Sequence, residues 1–122
     1  ISVIDSNTGP GVARHWNMDD WANRYGNNPY PVVEGWYYGG WSSYSYLRDR
    51  VVDNAANRIG NEYNWNFLNK MRESAAYCSQ LIWQAYYEEG NVDLDYDQGY
   101  IVWPTDITQH RGTVRKFMAS VL

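Results

Sequence analysis

Cys78 is the residue whose type and position most clearly suggest chemistry. It is the single cysteine of the chain, and it stands at the start of a predicted helix. Backbone N–H groups at a helix N-terminus lack an intrahelical partner and, with the helix dipole, favour an anion. A thiolate there would be a nucleophile, and the N–H of the same residue can face a developing oxyanion. The other interpretation is a small, buried side chain on the apolar face of that helix.

A thiol nucleophile needs a base, and an imidazole is the usual one. The two histidines are His15, on a predicted strand, and His110, in a polar loop. For each of them an ordinary exposed or strand-edge histidine is the simpler interpretation.

An acidic run follows the second long predicted helix. Asp93, Asp95 and Asp97 have the spacing that begins a calcium loop, but Gln98 replaces the required glycine and Pro104 replaces the closing glutamate. The EF-hand pattern therefore fails, and we expect a solvated acidic turn. A single cysteine also excludes a disulfide framework and a cysteine-based zinc site.

Aromatic side chains are abundant and mostly polar-edged. The chain has 7 Trp and 12 Tyr but only 2 Phe. Such residues suit both cores and half-wet grooves. Two interpretations stay open for four of these residues. They line a groove for sugars or peptides, or they are ordinary residues of the core and its rim. The four are Trp36, Tyr37, Tyr38 and Trp41.

The elements that must position these residues fit one α+β domain over residues 1–122. Hydrophobic residues make up 44% and charged residues 20%, which is enough for a packed core. A net charge of −4 argues against nucleic-acid binding. The apolar runs are too short for a membrane span.

The pattern predicts strands at residues 1–5, 12–16, 32–38, 100–103 and 113–117, and a short helix at 18–25. Apolar residues at helical spacing predict a long helix that is capped at 42–43 and ends at Gly60. A second long helix is predicted over 76–89, with Gly90 as its stop. Residues 61–74 read as a structured loop.

The segment Tyr-Cys-Ser-Gln-Leu-Ile-Trp-Gln-Ala-Tyr at residues 77–86 resembles a known family. It is similar to the circularly permuted branch of the NlpC-type, papain-like cysteine hydrolases, in particular YycO-like and YiiX-like proteins. The Gly-Asn-Glu-Tyr-Asn-Trp-Asn-Phe segment ahead of it also resembles the family, as do residues 93–95 and 102–107 behind it. Val-Ile-Asp-Ser at 3–6, followed by Gly-Val at 11–12, looks like the family's first strand pair.

The resemblance implies a papain-like fold with helices packed on a small antiparallel β-barrel or sheet. Cys78 would be the nucleophile, and Asp5 stands where the family has the acid that orients the base. The family's base histidine would precede residue 1, so we expect the chain to lack an N-terminal strand and to be the C-terminal part of a longer precursor. We accordingly expect neither His15 nor His110 within hydrogen-bond reach of Cys78. The alternative is that His15 substitutes as the base.

The resemblance further implies hydrolysis of an amide, in a cell-wall peptide or a related acyl compound, through a thioester on Cys78. No metal or cofactor is implied. Expected partners are a peptide or acyl-amide substrate and a separate N-terminal segment of the same precursor. The expected location is extracellular or in the cell envelope. We assign the substrate groove to Tyr77, Trp36 and Trp65.

Two alternative functions remain open. One is a non-catalytic module that binds cell wall or glycan through its aromatic residues. The other is a lipid-acyl hydrolase or acyltransferase, which would share the nucleophile and differ in its pocket.

Overall fold

The computed structural model describes residues 3–17, 32–39 and 45–120. The strands are β1 Val3–Asn7, β2 Gly11–His15, β3 Val32–Tyr38, β4 Glu62–Tyr63, β5 Ala75–Ala76 and β6 Thr113–Ser120. The helices are α1 Ser45–Ala56, α2 Cys78–Gly90 and α3 Pro104–Gln109. None of the helices within the described ranges is both long and apolar enough to cross a membrane.

The described strands form three pairs. β1 and β2 form an antiparallel hairpin, β3 pairs antiparallel with the distant β6, and β4 pairs parallel with β5. The mixed α/β class is as predicted, but these three pairs do not close into a barrel within the described residues. The predicted helix at 18–25 and Trp41 lie outside the described residues.

The first hairpin is joined to the segment ahead of β4 by a close backbone approach. Val12 donates its N–H to the Asn61 carbonyl, and its own carbonyl accepts from Gly60, each at 2.9 Å. Gly11 sits beside this contact with φ of +70°, and a Cβ there would lie 2.1 Å from the Asn61 oxygen. Glycine is therefore required at this position on both conformational and steric grounds.

The core lies around α2, whose buried face meets three different neighbours. Its N-terminal end packs with the first hairpin through Leu81 and Val12, and its middle packs on α1 through Ala85 and Val51. Its remaining buried surface belongs to a cluster of Tyr77, Trp83, Leu94 and Val102. This central position fixes the two ends of α2 relative to the rest of the chain.

Several predicted elements need correction. The first long helix ends at Ala56 rather than at Gly60, and the second begins at Cys78 because Ala76 belongs to β5. Residues 100–103 do not form a strand, because the Val102 N–H donates to the Tyr77 phenol and its carbonyl accepts from Ser79 rather than from a neighbouring strand. A helix begins directly afterwards at Pro104. Gly90 is the last residue of α2, and Asn91, with φ of 53°, takes the left-handed position that ends it.

Candidate active site

Cys78 is the first residue of α2, as predicted, and its side chain is exposed. The preceding residue, Tyr77, is extended, with φ of −86° and ψ of 168°. The thiol therefore lies at the N-terminal end of a 13-residue helix, where the first-turn N–H groups have no intrahelical acceptor. Exposure rules out the interpretation of Cys78 as a buried hydrophobic side chain and leaves its sulfur accessible to a substrate.

The residues on either side of Cys78 are held by the segment that precedes α3. Tyr77 is 3% exposed, and its phenol accepts a hydrogen bond from the Val102 N–H at 3.0 Å. Ser79 is also buried and donates its hydroxyl to the Val102 carbonyl at 2.5 Å. Both neighbours of the thiol are thus bonded to one backbone unit, which limits rotation of the helix start.

Gln80 organises the loop that leads to Cys78, although it was not singled out from the sequence. Its side chain is completely buried, and its oxygen accepts from the Tyr77 N–H at 3.0 Å and from the Asn64 amide at 2.9 Å. Its amide donates to the carbonyls of Lys70, Arg72 and Ala75 at 3.1–3.3 Å. One glutamine therefore satisfies five polar groups, and the helix start and the loop before it form one rigid unit.

A cavity of about 290 Å³ opens beside Cys78. Its walls come from the strand pair β3–β6, from α2 and from α3, and none of the described residues that line it carries a charge. They are Trp36, Tyr37, Tyr38, Cys78, Ser79, Ile82, Tyr86, Leu94, Pro104, Ile107, Thr108 and Thr113. The volume is near the lower end for small-molecule sites, and an uncharged, largely apolar lining suits an apolar group next to the thiol.

Only part of the predicted groove lies in this cavity. Trp36 lines it, with Tyr37 and Tyr38 beside it. Tyr77 is buried in the core beneath Cys78, and Trp65 is exposed at the edge of the Tyr63 ring, 5.0 Å between centroids. The structure thus corrects the placement of Tyr77, whose ring fills the core instead of facing a ligand.

Two tyrosines lie close enough to Cys78 to be influenced by its charge. Burial raises the pKa of Tyr63, and negative charge on Cys78 raises it further. Burial likewise raises the pKa of Tyr77, whose phenol is already engaged by Val102. At neutral pH both phenols are therefore protonated.

Asp5 has an imidazole partner, and that partner is His15. The Asp5 Oδ1 and His15 Nε2 atoms are 2.8 Å apart across the first hairpin, with 18% and 11% of the side chains exposed. Strand residues alternate between faces. Ser6 donates to the Ala76 carbonyl, and Ile4 packs beside Ala76, so Asp5 and His15 project from the opposite face of the hairpin.

The second histidine lies behind the cavity wall. His110 follows the last residue of α3, and its Nδ1 accepts the Gly112 N–H at 2.9 Å. Its ring meets the cavity residue Tyr38 edge-on, 6.0 Å between centroids. The expectation that neither histidine reaches Cys78 stays a prediction.

The acidic run is not the solvated turn that the sequence suggests. Asp95 is 1% exposed, and one of its carboxylate oxygens accepts from the Lys70 ammonium at 2.7 Å. Burial raises the pKa of Asp95 to about 6, the Lys70 contact opposes this, and the neighbouring carboxyl groups of Asp97 and Asp106 add to it. This burial could not be predicted from the local pattern, because Lys70 is 25 residues away in the chain.

Comparison with known proteins places the chain in a family. The sequence model described as "permuted papain-like amidase enzyme, YaeF/YiiX, C92 family" matches residues 1–102. The chain belongs to this family. The resemblance noted from the Cys78 segment is thereby confirmed at the level of permuted papain-like amidases.

A relative of this amidase-family chain is found in Bacillus subtilis (strain 168). A 61-residue alignment to the uncharacterized protein YycO is 36% identical and covers 48% of this chain and 25% of YycO. The chain therefore matches about a quarter of that relative's length. No solved structure matches the chain significantly.

Proposed function

We propose that this chain carries the nucleophile of a cysteine amidase, with Cys78 as the attacking residue. The observation that carries the proposal is an exposed thiol at the N-terminus of α2, opening onto an uncharged cavity, in a chain of the permuted papain-like amidase family. The family description supplies the reaction class, and the geometry supports the assignment of the thiol.

The reaction proceeds in two halves. The Cys78 thiolate attacks the carbonyl carbon of the amide, a C–S bond forms, and the carbonyl oxygen becomes an oxyanion. The C–N bond then breaks, the amine leaves with a proton from the protonated base, and a thioester remains on Cys78. Water, deprotonated by the base, attacks the thioester, and the thiolate and a free carboxylic acid are released.

The backbone N–H of Cys78 suits the oxyanion, because it belongs to the unpaired first turn of α2. Since Gln80 fixes the loop against the helix start, this donor needs little reorganisation during the reaction.

The base is the part of the mechanism that experiment must assign. His15 is held by Asp5, the arrangement that orients a catalytic imidazole, but the pair projects from the hairpin face opposite to Ile4 and Ser6. The family resemblance instead puts the base on a strand ahead of β1. We favour a base supplied from ahead of β1, because Asp5 and His15 share the hairpin face that is turned away from Ala76.

The cavity supports an amide whose acyl part is uncharged and apolar. Among the residues that the structure describes, its walls offer aromatic and aliphatic side chains beside Cys78 and two threonines, Thr108 and Thr113, but no cation to bind a carboxylate. Among acyl substrates this favours a fatty or aromatic acyl amide over the charged part of a cell-wall peptide. The same lining favours the second candidate, a lipid-acyl hydrolase, and we propose an extracellular or envelope location for either.

Hydrolysis of matched anilides separates these possibilities. With the proposed base supplied from ahead of β1, we expect octanoyl p-nitroanilide to be cleaved at least about tenfold faster in kcat/KM than succinyl p-nitroanilide, and Cys78→Ala to abolish both activities. Residues 1–122 by themselves should turn over little of either substrate. Octanoyl esters of glycerol test the lipid candidate in the same assay format. A preference for a cell-wall stem peptide over the octanoyl amide would contradict the apolar substrate class.

A cavity variant makes the test specific to this site. Ile82 lines the cavity and is 45% exposed, so Ile82→Lys should fold and lower kcat/KM for the octanoyl amide by about tenfold. Val52, 54% exposed on α1 and outside the cavity lining, gives the control Val52→Lys. Equal losses of kcat/KM in the two variants would show that the cavity does not receive the acyl group. Binding of the octanoyl amide without its hydrolysis would favour the non-catalytic module.

A further inference from the structure

Three carboxylates converge beside the loop that follows α2. One oxygen from each of Asp95, Asp97 and Asp106 lies within 4.8 Å of the others. We propose that these three residues bind a divalent cation, with calcium as the best-fitting ion. The proposal does not depend on the amidase function, because none of the three lines the cavity.

The buried carboxylate of Asp95 supplies the independent sign of a ligand. Its side chain has no exposed surface, and its Oδ2 atom is paired with Lys70 Nζ at 2.7 Å. Its Oδ1 atom is buried without a hydrogen-bond partner among the described residues. A buried anionic oxygen that lacks a partner is unfavourable, and a cation in the cluster would coordinate it.

The charges and distances fit calcium. Three carboxylates and the Lys70 ammonium sum to −2, which a divalent ion neutralises. Oxygen ligands favour hard cations, and calcium takes them at about 2.3–2.6 Å, so two ligands of one ion can be about 5 Å apart. Magnesium demands near-octahedral geometry at about 2.0–2.1 Å, whereas calcium accepts irregular sets of oxygen ligands. Asp97 is exposed, so solvent can complete the coordination.

Such an ion would brace the cavity wall. Leu94, next to Asp95, lines the cavity, as do Pro104 and Ile107 around Asp106. Asp106 itself is 4% exposed and accepts the Trp103 N–H at the start of α3. A cation shared by Asp95 and Asp106 would therefore connect the loop after α2 with α3, and both segments contribute residues to the cavity wall.

Thermal unfolding of the 122-residue chain tests the proposal directly. At pH 7.5, 1 mM calcium chloride should raise the unfolding midpoint by about 5 °C relative to 1 mM EDTA, as expected for a site with a Kd near 0.1 mM. Magnesium chloride should give a smaller shift. Calorimetric titration of the EDTA-treated chain with calcium should show one binding site.

Matched variants locate the effect. Asp97→Ala removes an exposed ligand and should fold, and it should lose the calcium shift; Asp49→Ala removes an exposed acid on α1 and should keep it. Identical wild-type midpoints in calcium and EDTA, with no heat of binding, would overturn the proposal. So would equal loss in both variants. An unfolding midpoint that does not change with calcium but rises on acidification to pH 5.5 would also overturn the proposal. It would show that the carboxylates share a proton instead of binding a cation.

Discussion

His15 Nε2 on β2 lies 2.8 Å from Asp5 Oδ1 on the adjacent strand β1. The acid that the sequence suggested as the partner of a catalytic imidazole is therefore paired with His15. Asp5 is paired across the hairpin with Ala13 and His15 with Val3, and all four share one face. The Ala76 segment that leads to Cys78 contacts the other face, through Ile4 and Ser6.

This arrangement predicts that His15 is not the base for Cys78. His15→Ala should leave the rate of iodoacetamide reaction with Cys78 at pH 7 within about twofold of wild type, because the imidazole projects from the far side of the hairpin. Asp5→Asn, which removes the charge from the carboxylate partner of His15, is the matched variant. A tenfold or larger fall in His15→Ala alone would show that this imidazole assists the thiol.

Gln80 should be among the most sensitive positions for stability. Gln80→Leu keeps the apolar packing but leaves the Asn64 amide and the Tyr77 N–H without their acceptor. We expect a loss of about 3 kcal/mol in the free energy of unfolding, measured by urea denaturation. Gln109→Leu, an exposed glutamine at the end of α3, should change it by less than about 0.5 kcal/mol. A Gln80→Leu loss of that same small size would contradict the proposed role of the network.

The ion pair between Arg58 and Glu88 should make stability depend on pH in the acid range. Burial opposes ionisation of Glu88, but hydrogen bonds from Asn54 and Arg58 outweigh it and hold its pKa below the ordinary 4.5. Because the folded pKa is the lower one, the contribution is complete above pH 4.5 and is lost as pH falls through the folded pKa.

Glu88→Gln should accordingly cost about 1 kcal/mol of unfolding free energy near pH 7, since the carboxylate remains one-third exposed. The difference from wild type should shrink below pH 4, where wild type loses the same charge. Urea denaturation at pH 7, 5 and 3.5 measures it. A difference that stays constant over this range would show that the charge of Glu88 contributes nothing.

The local sequence pattern was sufficient to predict those elements whose formation depends on their own residues. The apolar spacing and the position of Cys78 predicted the helix that carries the thiol, and β3 was predicted with its observed bounds. The resemblance around Cys78 then identified the family, which the sequence-model match over residues 1–102 confirms.

Long-range partners account for what the sequence did not show. Gln80 reads as a polar position on a helix, and only the arrival of Asn64 and three loop carbonyls makes its burial favourable. Asp95 reads as a loop acid, and its burial depends on Lys70. Val102 lies in an apparent strand, but its backbone bonds go to side chains around the helix start.

The most direct measurement of the central claim is the mass of the acylated protein. The chain is mixed with octanoyl p-nitrophenyl ester, quenched in acid within seconds, and analysed as intact protein and as peptides. We predict one octanoyl group, attached as a thioester to the peptide that contains Cys78 and absent in Cys78→Ala. Octanoyl transfer to another residue, or unchanged hydrolysis of the octanoyl amide by Cys78→Ala, would contradict the assignment of Cys78 as the nucleophile.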